Sequence, residues 1–211
     1  WKHLVDAFDY EASTKSHDDL FVLMRRYLLR AMMTYMIAPN ILRGENIKFL
    51  DEFMHYQDCV EDATAKAAIL PRLVSVPIVL RPVQQQRQEL TMQLAHMIEE
   101  ICNNNDEIIG PWLTAFQKND ITAEEAAELS IGLMFAAHKN PAIGVSQSFC
   151  YLQTEATKEQ QERAMLEATK IYQCNRNGKT LLPLNSSPTL RACVLETLRL
   201  TAHSIGGIRT A

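Results

Sequence analysis

Thr122-Ala-Glu-Glu-Ala-Ala-Glu-Leu-Ser-Ile-Gly-Leu-Met-Phe-Ala-Ala-His-Lys-Asn-Pro-Ala142 begins as a helix with unusual clarity. Thr122 and Glu125 have the spacing of a capping box, in which the Thr hydroxyl and the Glu carboxylate each satisfy a free amide of the first turn. Glu124, Glu125 and Glu128 lie at the positive end of the helix dipole. Leu129, Ile131, Leu133, Met134, Phe135, Ala136 and Ala137 then carry an apolar pattern on toward Gln153. A helix over 122–153 with so apolar a middle is expected to cross the interior as a spine.

Pro141 interrupts this spine. It lacks the N–H that would bond the carbonyl of Ala137 and its ring displaces that carbonyl, so a kink or an opening is expected there. Ala136 and Ala137 beside it leave room for another group. His138, Lys139 and Asn140 put polar atoms in the same place, and two readings follow: they face a polar neighbour, or they do chemistry in the gap.

C-terminal to the spine, Thr157 to about Tyr172 reads as an amphipathic helix rich in Glu, Lys and Gln, and Asn175-Arg-Asn-Gly-Lys179 reads as a turn. Ser187 then caps a helix whose first position is Pro188. That helix contains Leu190-Arg-Ala-Cys-Val-Leu-Glu-Thr-Leu-Arg-Leu200, apolar on every side, which predicts burial all round. Buried Glu196 and Arg199 would have to bind each other across one turn and reach further partners. As a bare pattern Glu-x-x-Arg carries little, since sixteen Glu and twelve Arg in 211 residues produce about one match by chance. An exposed i,i+3 pair of small effect is the plain alternative.

N-terminal to the spine, Asp18 to about Met36, Asn46 to about Leu70 and Val83 to Ile101 read as helices, and Asn103-Asn-Asn105 breaks the last. Between the second and third, Ala68-Ile-Leu-Pro-Arg-Leu-Val-Ser-Val-Pro-Ile-Val-Leu-Arg-Pro82 has three prolines in an apolar run and is expected to be a loop with a greasy surface. Such a loop either packs on the core or meets a membrane or an entering ligand. Convincing alternating strands are missing, so the fold class is mostly α.

A net charge of -4 with dispersed basic residues leaves no electrostatic footprint for nucleic acid. Cys59, Cys102, Cys150, Cys174 and Cys193 are odd in number and contain no Cys-x-x-Cys pair, as expected of free thiols in a reducing compartment. No apolar run approaches the roughly 18 residues of a membrane span, and no signal peptide is expected at the start. His55 and Cys59 sit four apart on a helix, a metal-compatible spacing, but no second ligand pair accompanies them. Gly-rich phosphate loops, nucleophile elbows and paired-carboxylate signatures are absent from the sequence.

Cys193-Val-Leu-Glu-Thr-Leu-Arg-Leu200 followed by Ile208-Arg-Thr-Ala211 resembles the cytochrome P-450 superfamily of haem-thiolate monooxygenases. Leu198-Arg-Leu-Thr-Ala202 and the alignment of Pro141 with a family Pro favour the branch that contains cholesterol 7-alpha-hydroxylase, sterol 12-alpha-hydroxylase and prostacyclin synthase. The resemblance implies a partial cytochrome P-450 fold. In it, 1–121 supply pocket-capping helices and their loop, 122–153 the long distal helix, and 154–211 the helices up to and including the Glu-x-x-Arg helix. It implies structural roles for Glu196 and Arg199 and a haem-propionate role for Arg209. Ala137, His138, Lys139 and Asn140 would then line the groove where the family positions dioxygen and relays protons.

The family's acid and Thr are replaced here by Lys139 and Asn140 in an ungapped register. Proton delivery in that groove needs a hydroxyl or an ordered water, which an Asn amide or His138 could hold in place. Branch members without the Thr can rearrange substrates that already bear a peroxide, so isomerase chemistry stays beside hydroxylation. A haem-thiolate enzyme also needs an axial Cys thiolate, supplied in the family by a Phe-x-x-Gly-x-x-x-Cys-x-Gly loop that these residues do not contain. The N-terminal sheet region and the haem-contacting Trp-x-x-x-Arg helix are likewise not recognisable, so the chain alone is expected to be inactive. For the complete enzyme the resemblance implies haem, an NADPH-dependent reductase, a lipophilic substrate such as a sterol or terpenoid, and attachment to the cytoplasmic face of the endoplasmic reticulum membrane. A non-catalytic helical interaction protein is the alternative from another class.

Overall fold

A computed structural model describes residues 2–14, 19–104, 108–176 and 186–201. In chain order the helices are α1 (Lys2–Thr14), α2 (Leu20–Met36), α3 (Lys48–Ile69), the single turn α4 (Arg72–Ser75), α5 (Arg81–Asn103), α6 (Pro111–Lys118), α7 (Ala123–Thr154), α8 (Lys158–Arg176) and α9 (Pro188–Thr201). A 3-10 turn, Gly44–Ile47, leads into α3, and a π-helical turn, Val76–Leu80, joins α4 to α5. No strand occurs among the described residues, so the chain is mostly α.

Local chemistry sets most of the boundaries. Asp19 caps α2, its carboxylate accepting the N–H groups of Phe21 (2.8 Å) and Val22 (3.3 Å). The capping box of α7 is complete: the N–H of Glu125 donates to the Thr122 hydroxyl (3.3 Å), and the N–H of Thr122 donates to the Glu125 carboxylate (3.0 Å). Thr157 and Gln160 repeat the device at the start of α8. At the start of α9 the carboxylate of Glu167, from α8, accepts the N–H groups of Thr189 (3.1 Å) and Leu190 (3.0 Å). Gly110 precedes α6 at a very close approach: its N–H donates to Ile37 O (2.6 Å), and a side chain there would meet the backbone of Met36 at 2.5 Å.

The expected loop over 68–82 is helical instead. Its prolines are absorbed rather than disruptive because Pro71 precedes α4, while Pro77 and Pro82 fall at the starts of the π turn and of α5. The π turn inserts one residue, and the N–H of Arg81 reaches back five positions to Val76 O, which accommodates rings that an α-helical ladder would reject. The greasy surface is present as expected: Ile69 is 86% exposed, Leu73 91% and Ile78 67%. Neither α1 nor α6 follows from the periodicities read in the sequence.

Leu29, Met33, Phe53, Leu94, Ile98, Ile131 and Met134, from α2, α3, α5 and α7, form the centre of the core. α7 packs against α2, α5 and α9. Alongside this core runs a line of buried charge. Glu11 of α1 is 1% exposed, and its two oxygens accept from Arg26 Nε (2.9 Å) and Arg30 Nε (2.7 Å) of α2. Arg26 also binds Asp51 of α3, and the Arg30 guanidinium lies 3.9 Å from the centre of the Tyr10 ring.

Burial alone would raise the Glu11 pKa, but hydrogen bonds and charge from Arg26 and Arg30 outweigh it and hold the carboxyl below its ordinary value. Glu11 therefore contributes stability above the carboxylate range that is lost as pH falls through its lowered pKa. Glu11→Gln takes the buried carboxylate from Arg30 and leaves Arg26 with Asp51, and it is expected to lower the stability measured in urea unfolding by about 3–5 kcal/mol. The difference from the parent should shrink as pH falls below the carboxylate range.

Candidate functional site

The long helix has two unlike faces around Pro141. Ala126, Ala127, Ser130, Ile131, Met134, His138 and Ala142 recur every three or four residues and are buried, as expected for one face of a helix. The opposite strip, Leu129, Gly132, Leu133, Ala136, Ala137, Asn140 and Pro141, is exposed. The spine is thus covered on one side only among the described residues, and the helix is continuous through Pro141.

This division separates the four residues singled out on the helix. Ala137 and Asn140 lie on the exposed strip, whereas His138 is fully buried and Lys139 is turned toward α3. The Lys139 ammonium donates to Asp58 Oδ1 (2.9 Å) and Glu61 Oε2 (2.7 Å), and its side chain is 14% exposed. Asp58 also accepts from Arg25 Nη1 of α2 (2.9 Å). Arg25 Nη2 donates to the Met54 carbonyl (3.0 Å) and the Gln57 amide oxygen (3.3 Å). The Gln57 amide nitrogen donates to the carbonyl of Phe135 on α7 (3.1 Å). Arg25, Gln57, Asp58 and Lys139 therefore form one network across α2, α3 and α7.

His138 sits beside this network with its ring 6.0 Å from that of Phe53, and neither ring nitrogen has a hydrogen-bond partner among the described residues. Burial, then the cations Arg25 and Lys139, push its pKa down to about 4, while Asp58 and the backbone of Arg25 oppose in part. The ring is neutral near pH 7. For Asp58, desolvation acts upward, but Arg25 and Lys139 bring its carboxyl below the ordinary value.

On the exposed side, Leu129, Gly132, Leu133 and Ala136 of the strip form one wall of a cleft of about 1050 Å³. Trp112, Phe116 and Ile121 form the wall toward α6, and Arg87 of α5 stands at the rim paired to Glu128 of α7 (2.6 Å). A side chain at Gly132 would meet nothing within 4 Å. That wall can therefore take an apolar body close to the helix backbone at Gly132 and Ala136, and Asn140 lies further along the same exposed strip.

The Glu-x-x-Arg helix differs from expectation. Glu196 and Arg199 are exposed and bind each other through two parallel hydrogen bonds (2.8 and 2.6 Å). Val194, Leu195, Leu198 and Leu200 are exposed as well. The physical reason is coverage: α9 rests on α7 and α8, which bury Thr197 and half-bury Cys193, while Val194, Leu195, Glu196, Leu198, Arg199 and Leu200 stay exposed. The Cys193 thiol donates to Ser148 O (3.4 Å), and burial raises its pKa. Arg209 lies outside the described residues. His55 Nε2 is 3.5 Å from Cys59 Sγ, and no group of three or more metal-ligating side chains occurs among the described residues.

Sequence reading passed over Arg25, Gln57, Asp58 and Glu61, the residues of α2 and α3 in the network beside His138. The available signal was Arg25, Arg26 and Arg30 set among the apolar residues of α2, with Asp58 and Glu61 one turn apart on α3. As for the exposed pair on α9, Glu196→Ala is expected to leave the thermal midpoint of this chain unchanged, in contrast to Glu11→Gln, when both are compared by scanning calorimetry. A scan of protein-family models and a search of curated proteins give no match to this chain.

Proposed function

We propose that the chain is the central helical part of a cytochrome P-450-like haem-thiolate monooxygenase acting on a lipophilic substrate such as a sterol or terpenoid. The observation that carries this reading is the exposed strip that includes Gly132, Ala136, Ala137 and Asn140 on a capped spine helix that runs on through Pro141. A flat macrocycle comes closest to a helix where side chains are small, as at Gly132 and Ala136, with Leu129 and Leu133 flanking them in the cleft. Behind the same helix, α9 supplies Glu196 and Arg199, and by resemblance Arg209 would reach a haem propionate.

The fit extends to the wall and not to the iron ligand. A thiolate ligand must be deprotonated and accessible, while Cys193 is held as a thiol against α7. When bound, haem would supply the iron at which dioxygen is activated, with electrons from an NADPH-dependent reductase. Asn140 would hold an ordered water on the strip, taking the place of the family's hydroxyl. Lys139 is engaged on the other side of the helix by Asp58 and Glu61, so proton handling on the strip would fall to Asn140 and water. That arrangement also keeps the isomerase reading as the second enzymatic possibility.

Membrane attachment of the complete enzyme at the cytoplasmic face of the endoplasmic reticulum is part of the proposal. No helix among the described residues is long and apolar enough to cross a membrane, so contact here would be peripheral. The exposed ridge of Ile69, Leu73 and Ile78, flanked by Arg72 and Arg81, has the composition for it. A non-catalytic interaction protein would use the same ridge, or the exposed leucines of α9, to dock a partner.

Two experiments separate these readings. The chain titrated with haem, reduced and exposed to carbon monoxide should give no thiolate-type absorption band, whereas the protein extended by the axial-Cys loop should give one; a thiolate band from the chain alone would contradict the reading. In co-sedimentation with phosphatidylserine-containing vesicles, the double variant Leu73→Asp, Ile78→Asp should bind several-fold more weakly than the parent. Equal binding would remove the ridge from the membrane contact.

A further inference from the structure

α3 reaches the middle of α7 chiefly through side chains. Phe53 lies against the His138 ring at 6.0 Å, Tyr56 meets Phe135 edge-on at 6.0 Å, Gln57 donates to the Phe135 carbonyl, and Lys139 holds Asp58 and Glu61. Few of these contacts survive a small outward movement of α3, because each is a single ring contact or hydrogen bond. The charged groups around His138 are Arg25 on α2, Asp58 on α3 and Lys139 on its own helix, with Glu61 beyond Lys139. A proton arriving on His138 would therefore add a cation beside two others, with Asp58 shared between Arg25 and Lys139 and Glu61 engaged by Lys139.

We infer that Lys139, Asp58 and Glu61 form a latch between α7 and α3, and that His138 beneath it is the group whose protonation releases the latch. The driving force is linkage. In the closed state Phe53 covers the imidazole, and burial holds it neutral; when α3 lifts, the ring meets water and regains ordinary basicity. Its pKa is lowered from 6.5 to about 4 in the closed state. Acid therefore favours the open state, beginning near pH 6.5 and saturating near the lowered value. The full span corresponds to a change of up to about 300-fold in the ratio of open to closed. From about pH 6.5 to 5 the change belongs to His138, because Arg25 and Lys139 hold the Asp58 carboxyl below its ordinary value. The latch needs no haem, so it stands or falls separately from the proposed activity.

Hydrogen exchange on the full chain, read by mass spectrometry and corrected for the intrinsic pH dependence of exchange, tests the inference. Amides of 59–69 should lose protection steadily as pH falls from 6.5 to 5, while 90–101 and 126–134 in the core keep theirs. Lys139→Met should show the weakened protection of 59–69 already at pH 7, and Lys139→Arg should retain it. His138→Phe should keep the protection at pH 7 and remove its dependence on pH between 6.5 and 5. Three results would overturn the latch: pH-independent protection of 59–69 in the parent, an unaltered pH dependence in His138→Phe, or a Lys139→Met variant that either matches the parent or loses protection uniformly over the whole chain.

Discussion

Three guanidinium groups buried on one helix govern how the first half of this protein assembles. Arg25, Arg26 and Arg30 are each less than a tenth exposed on α2. Removing such an ion from water costs several kcal/mol unless a carboxylate and further acceptors meet it. The neighbouring helices are placed where they can do so: α1 brings Glu11 to Arg26 and Arg30, and α3 brings Asp51 to Arg26 and Asp58 to Arg25. Asp58 then passes the connection to Lys139, which ties α7 into the same network. Apolar packing around Leu29, Phe53, Leu94 and Met134 supplies the bulk of the core, and the ion pairs fix how the helices are rotated around it.

Rotation decides which residues the spine presents. With His138 and Lys139 committed to α2 and α3, the spine turns Gly132, Ala136, Ala137 and Asn140 outward as one strip. Had Lys139 faced the strip, a cation would stand where an apolar ligand is proposed to lie. The polar network behind the helix and the bare wall in front of it are thus two consequences of one orientation.

Legibility in the sequence followed the range of the interaction involved. The capped start of α7, the Asp19 region of α2 and the α8 start depend on residues within one turn, and could be read directly. The segment 68–82 could not, because proline rules assume an α-helical ladder and the π turn at Val76–Leu80 relaxes it. The start of α9 was placed correctly, but Glu167, twenty-two residues away from Thr189, supplies its capping carboxylate. Burial of α9 was inferred from its apolar composition, whereas composition says only that a helix could be covered, not that something covers it. Of the candidate site, the choice of Ala137 to Asn140 was legible from the proline and the small residues. Which of the four face outward was not, since that depends on partners from α2 and α3 that are 78 or more positions away for the Lys139 contacts.

Reading the gene beyond the codon for Ala211 is the most direct measurement of the haem-thiolate claim. An in-frame Phe-x-x-Gly-x-x-x-Cys-x-Gly segment would supply the thiolate that the exposed strip of α7 is proposed to face. A reading frame that closes without such a segment would contradict the claim and leave a helical protein whose uncovered faces serve a partner.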